Sequence, residues 1–99
     1  MFVVIRENTF DPKKLAGGQA QLEEFAALHA RQPGYKGNLV VDAGNGRAIA
    51  VTLWDSEEQG TAARAIMEPA AVRLLQPLLA APSRLLGSGN VVSQDLLKG

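Results

Sequence analysis

Ninety-nine residues make one domain, residues 1–99, and a chain of this length buries about two-thirds of its unfolded surface at best, so its stability is modest unless it gains area by association. Ten Lys+Arg balance ten Asp+Glu, which leaves no bulk basic surface of the kind that binds nucleic acid through phosphates. The absence of cysteine excludes disulfides, thiolate metal sites and cysteine nucleophiles.

The opening MFVVIREN is too short, and too soon interrupted by Arg6 and Glu7, for a signal peptide. No apolar run approaches the ~20 residues of a membrane span, so the chain reads as a cytoplasmic protein with no membrane partner. Residues 2–8 predict a strand with Val3 and Ile5 on one face and Phe2 and Val4 on the other. Both faces are apolar at the start, which predicts cover on both sides. Asp11-Pro12 marks an exit turn. A helix follows, from Pro12 or more securely over residues 19–31, with Leu22, Phe25, Leu28 and His29 along one stripe. Gly17-Gly18 weakens its first turns, and Pro33-Gly34 ends it.

Residues 35–43 and 47–54 predict two further strands. Asn45-Gly46 between them is the dipeptide of a type I′ hairpin turn, whose two central residues both need positive φ. The third strand has unequal faces: Ile49, Val51 and Leu53 are bulky, whereas Ala48, Ala50 and Thr52 are small and Trp54 closes their row. A row of small side chains either lets a helix pack closely or leaves a cavity. Ser56 is an N-cap with Gln59 three residues on, a capping-box spacing, and Asp55, Glu57 and Glu58 suit the positive end of the helix dipole. This helix is expected to run to about Met67, with Glu68-Pro69 breaking or re-aiming it before a second segment over residues 70–79 in which Pro77 sits near the end. A last strand is expected within residues 85–97.

The order βαββαβ with short connections predicts an α+β, ferredoxin-like plait: an antiparallel sheet with both helices on one face. Neither sheet face is polar enough to meet water comfortably, so the open face is expected to pair with a second copy.

MFVVIREN, a helix ending in Gln-Pro-Gly-Tyr, and a hairpin ending in Thr-Leu-Trp-Asp-Ser-Glu-Glu together resemble the antibiotic-biosynthesis-monooxygenase-like domain, a branch of the dimeric α+β barrel superfamily. The resemblance covers most of the chain; its specific parts are the Pro-Gly exit and the strand-ending Trp before an acidic helix cap. It implies a homodimer whose two sheets form a barrel, with a pocket between each sheet and its own helices. It also implies activities such as cofactor-free oxidation of polycyclic phenols to quinones or oxidative haem breakdown. Trp54 matches the pocket Trp of the quinone-forming members, but the Asn they carry four residues earlier is replaced here by Ala50. Asn8 matches the strand-end Asn of the haem-degrading members. Near Ala62 and Val72 their Trp and His are missing, so haem breakdown is not expected.

The candidate pocket residues are Arg6, Asn8, His29, Ala50 and Trp54, each with a structural alternative. Trp54 stacks on a planar ligand or anchors the core. Asn8 hydrogen-bonds a bound oxygen or begins the turn after the first strand. Arg6 is a pocket cation or an edge residue reaching water. His29, the one histidine, is a general base for a phenol or a half-exposed dipole partner near its helix C-terminus. One His and no Cys predict no metal centre, and no triad or phosphate loop can be assembled. The central strands lack the aromatics with which RNA-binding plaits stack bases. The expected function is therefore a cofactor-independent, monooxygenase-like enzyme acting on a small planar aromatic or quinol. The alternative is a non-catalytic homodimeric module that binds a small hydrophobic molecule or serves only in assembly.

Overall fold

The computed structural model describes residues 1–96. Its elements run β1 (Phe2–Thr9), α1 (Pro12–Ala16), α2 (Gln19–Ala30), β2 (Tyr35–Gly44), β3 (Arg47–Trp54), α3 (Glu57–Ala70), a π-helical stretch (Ala71–Leu75), a 3-10 turn (Gln76–Leu78) and β4 (Arg84–Asn90). The strands form one antiparallel sheet in the order β2-β3-β1-β4, the α+β plait expected of βαββαβ.

The hairpin sets the register. Asn45 and Gly46 take φ of 56° and 77°, as a type I′ turn requires. Below it, Val40 faces Ala50 and Asn38 faces Thr52, while β1 pairs with β3 from Phe2 opposite Trp54 to Asn8 opposite Ala48. Strand alternation then sorts the side chains. Phe2, Val4, Arg6 and Asn8 share the helix-covered face with Ala48, Ala50, Thr52 and Trp54. Val3, Ile5 and Glu7 share the outer face with Ile49, Val51, Leu53, Leu39 and Val41.

Two local expectations are corrected. The first helix is two helices, because Gly17-Gly18 interrupts it. Asp11 caps α1, its Oδ1 accepting from the backbone N–H of Lys13 and Lys14 at 2.9 and 3.3 Å. Gly18 then lets Leu78 come close, since a Cβ there would lie 2.6 Å from that side chain. The second-half helix does not break at Glu68-Pro69: α3 continues through Pro69 to Ala70. Pro69 removes an N–H and crowds the preceding turn, and the backbone widens into the π-helical stretch just after it. The last strand falls within the expected residues 85–97 except that β4 starts one residue earlier, at Arg84; it ends at Asn90, where the Val91 N–H donates to Met1 O at 2.8 Å. Leu97, the far end of the expected range, lies outside the described residues.

Ser56 caps α3, accepting from the Gln59 N–H, while its hydroxyl donates to Gln59 Oε1; both distances are 3.2 Å. One turn on, Gly60 lies directly over Trp54 and Phe2, where a Cβ would stand 3.2 and 3.3 Å from their rings. Phe2, Trp54 and Ala63 form the buried cluster at this end, and Met67, Leu74, Leu75 and Leu78 are buried along the second half of the chain. α2 contributes no fully buried residue; Leu22, Phe25, Leu28 and His29 are all half-buried. It lies over the small side chains of β3 without filling the space above them.

The outer sheet face is apolar except at one end, where Glu7 is held between Arg47 at 2.6 Å and Arg84 at 3.4 Å. The hydrogen bond from Arg47, helped by the charges of Arg47 and Arg84, holds the Glu7 carboxyl below its ordinary pKa against the opposing effect of burial. Among the described residues no helix is long and apolar enough to cross a membrane.

Candidate functional site

The gap over Ala50 is a cavity of about 780 Å³ between the inner sheet face, α2 and α3. Arg6 and Asn8 reach it from β1, His29 from α2, and Ala50 and Trp54 from β3, so the five predicted residues share one wall system. Volumes of this size accommodate a small organic ligand. The space exists because Ala48 and Ala50 stand where neighbouring strands carry larger groups, and because α2 meets the sheet through half-buried side chains.

One end is closed by aromatic rings. His29 lies with its ring centroid 5.4 Å from Trp54, 5.7 Å from Phe25 and 6.0 Å from Tyr35, and Tyr35 meets Trp54 edge-on at 5.7 Å. Trp54 is both core and wall: it is 2% exposed, backed by Gly60 and Phe2, and it lines the cavity. His29 faces these rings and the cavity rather than serving only as a surface charge at its helix end.

Burial holds the His29 imidazole below its ordinary pKa of 6.5, so it is neutral at pH 7. The unfolded chain therefore binds a proton more readily than the folded one. The stability this contributes is present above pH 6.5 and is lost as the pH falls from 6.5 towards the depressed folded value. Urea unfolding at pH 7.5 and 5.5 should show a lower midpoint at 5.5, and His29→Gln should reduce that difference. An equal difference in the variant would place the acid sensitivity elsewhere.

Asn8 does not begin a turn. β1 runs one residue past it, and Asn8 stays paired opposite Ala48. Its Oδ1 is buried with no hydrogen-bond partner. An orphaned buried carbonyl oxygen costs about 1–3 kcal/mol unless something donates to it, and the cavity is where a donor can come from. Arg6 points inward from β1; its Nε donates to Ser83 Oγ at 3.0 Å and its Nη2 to the Ser83 carbonyl at 3.4 Å. Its pKa is lowered, first by burial and then by the neighbouring charge of Arg64, but an arginine stays protonated.

Sequence reasoning missed Asn38, Arg64 and Ser83 as lining residues, whereas Thr52, expected in the small row of β3, lines the cavity. Thr52 is buried, and its hydroxyl donates to Asn38 Oδ1 at 3.0 Å across the strand pair. The signal for Arg64 was the spacing Gly60, Arg64, Met67, one stripe of α3. Ser83 carries no local signal, since only the β4 register brings it to Arg6. A second cavity of about 650 Å³ adjoins the first, sharing Asn8, Ala50 and Leu75 and lined by Leu15, Leu22, Ala26 and Val40. Among the described residues no three His, Asp or Glu side chains gather as a metal site would need.

No protein-family model matches the sequence, and no curated protein matches it either. Solved structures do. A protein of unknown function from Nitrosomonas europaea superposes with a TM-score of 0.76 at 14% identity, over 99% of this chain and 95% of that one. SnoaB, a cofactor-independent oxygenase from Streptomyces nogalater, superposes at 0.75 with 21% identity, over 98% and 97% of the two chains. A candidate antibiotic biosynthesis monooxygenase from Bordetella bronchiseptica superposes at 0.73 with 18% identity, over 93% and 97%. Over nearly its whole length this chain has the fold of antibiotic biosynthesis monooxygenase structures.

Proposed function

We propose that this chain is a cofactor-independent, monooxygenase-like protein that takes a small planar aromatic or quinol into the cavity between sheet and helices. The observation that carries the reading is the convergence of Arg6, Asn8, His29 and Trp54 on one cavity of ligand size. A likeness of fold alone does not establish chemistry; the side chains support it. Trp54 and Phe25 give flat apolar walls. Asn8 Oδ1 accepts from a ligand hydroxyl. The neutral His29 imidazole takes the phenolic proton, which leaves an electron-rich oxyanion. Dioxygen is the oxidant: one of its atoms becomes a quinone carbonyl and the other leaves as water. Ala50 removes the amide found on that strand in quinone-forming enzymes, and Asn38, opposite Thr52, places an amide on the same face.

The test is oxygen uptake and quinone formation with a panel of naphthols and anthrones. Turnover is expected with at least one of them, falling at least tenfold in His29→Leu while binding persists. Absence of both turnover and binding across the panel would overturn the reading. Binding without turnover would favour the alternative, a non-catalytic module, to which the apolar second cavity lends some support.

We also propose that two copies join through the outer sheet face. Leu39 and Val41 stand there 62% and 46% exposed, beside half-buried Val3, Ile5, Ile49, Val51 and Leu53. An apolar sheet face of this kind, with charges only at one end, is a usual association surface. Sedimentation at micromolar concentration should give twice 10.5 kDa, reduced to one chain by Val51→Glu. A wild-type protein that sediments only at 10.5 kDa would contradict the dimer.

A further inference from the structure

The cavity is not only apolar and aromatic. Away from the rings its wall carries two guanidinium groups, Arg6 of β1 and Arg64 of α3. Both line this one cavity, and the charge on Arg64 adds to burial in lowering the Arg6 pKa. Neither forms an ion pair with an acidic side chain among the described residues. Arg6 is half-buried, and its protein partners are the hydroxyl and carbonyl of Ser83, both uncharged, reached through Nε and Nη2 only. A partly desolvated cation that meets a like charge and forms no ion pair is costly until a counter-charge arrives. Glu68 is the one acidic side chain on this wall, and it leaves an excess of one positive charge. The other unsatisfied group is Asn8 Oδ1, two residues from Arg6 on the same strand face, which needs a donor.

Resting on the reading of this cavity as a ligand site, we infer that its natural ligand is a hydroxyaromatic carboxylate: a planar ring against Trp54, a carboxylate held by Arg6 and Arg64, and a hydroxyl donating to Asn8. One excess positive charge calls for a monoanion. A phosphate dianion would overfill it and meet Glu68. A guanidinium fork matches the planar two-oxygen edge of a carboxylate, and the largely apolar remainder of the wall suits a ring rather than a polyol.

Calorimetric titration with four matched probes tests this: 6-hydroxy-2-naphthoate, whose hydroxyl is too far from its own carboxylate to bond it, its methyl ether 6-methoxy-2-naphthoate, neutral 2-naphthol, and 2-naphthyl phosphate. At low salt the hydroxy acid should bind at least tenfold more tightly than 2-naphthol. That preference should shrink in added salt and vanish in Arg64→Gln, a substitution at an exposed helix position that leaves the strand core untouched. Arg6→Gln should do the same, and if loss of the Ser83 link unfolds it, Arg64→Gln alone decides. The methyl ether should bind more weakly than the hydroxy acid, because it brings no donor to Asn8. Equal affinity for 2-naphthol and the acid, or a preference that survives in Arg64→Gln, would overturn the carboxylate while leaving the aromatic cavity standing. Tighter binding of the phosphate would overturn the monoanion. No binding of any probe at millimolar concentration would overturn this inference and the ligand-site reading together.

Discussion

Trp54→Ala is expected to destabilise the fold by about 3–5 kcal/mol, the usual loss when a buried large aromatic is truncated, and to abolish binding of planar ligands. Trp54 is 2% exposed and closes the Phe2, Ala63 cluster. Gly60 has no side chain to swing into the void, and its backbone is fixed by the capped first turn of α3. The ring centroid of His29 stands 5.4 Å away, so the same truncation also frees the imidazole that faces the cavity. Trp54→Phe keeps a ring in the slot and should lose clearly less stability while still weakening stacking. Chemical denaturation of both variants checks this. A loss below about 1 kcal/mol in Trp54→Ala would show that the ring is only a wall.

Gly46→Ala is expected to cost about 2–4 kcal/mol, from placing an L side chain in left-handed backbone and from a lost hydrogen bond. Gly46 sits at φ 77°, and a Cβ there would stand 2.8 Å from the Phe10 carbonyl oxygen, a backbone atom that cannot swing aside. The same approach carries the Phe10 N–H donating to Gly46 O at 2.8 Å. Asn45→Ala should cost less, since Asn45 at φ 56° meets only the conformational penalty. Asn45 and Gly46 line the smaller cavity and not the one that holds Arg6, His29 and Trp54. Unchanged urea midpoints in both variants would mean that the hairpin tolerates another turn.

The fold was legible wherever a local rule acted alone. Asn45-Gly46 dictated the turn, Ser56 with Gln59 dictated the start of α3, and alternation along residues 47–54 put Ala48, Ala50 and Trp54 on one face. It was less legible where two rules compete. Pro69 argues for a break, but the buried stripe of Gly60, Ala63 and Met67 holds the helix on course, and the backbone widens into π-helix only from Ala71. Gly17-Gly18 was read as weakening one helix; its closeness to Leu78, sixty residues away, made it a boundary between two. The same limit applies to the cavity. Arg6, Asn8 and Trp54 could be placed on one face by counting along strands, whereas Ser83 meets Arg6 only through the irregular register of β4, and the orphaned state of Asn8 Oδ1 is visible only in three dimensions.

The central claim is that the cavity bounded by Trp54 receives a planar ligand. The chain has one tryptophan, so its emission reports on that wall alone. Titration with 1,4-naphthoquinone, planar and non-emissive, tests the claim directly. Occupation of the cavity predicts quenching that saturates at low ligand concentration and is competed away by 6-hydroxy-2-naphthoate. A blue emission that declines only in proportion to added quinone, with no saturation and no competition, would contradict it.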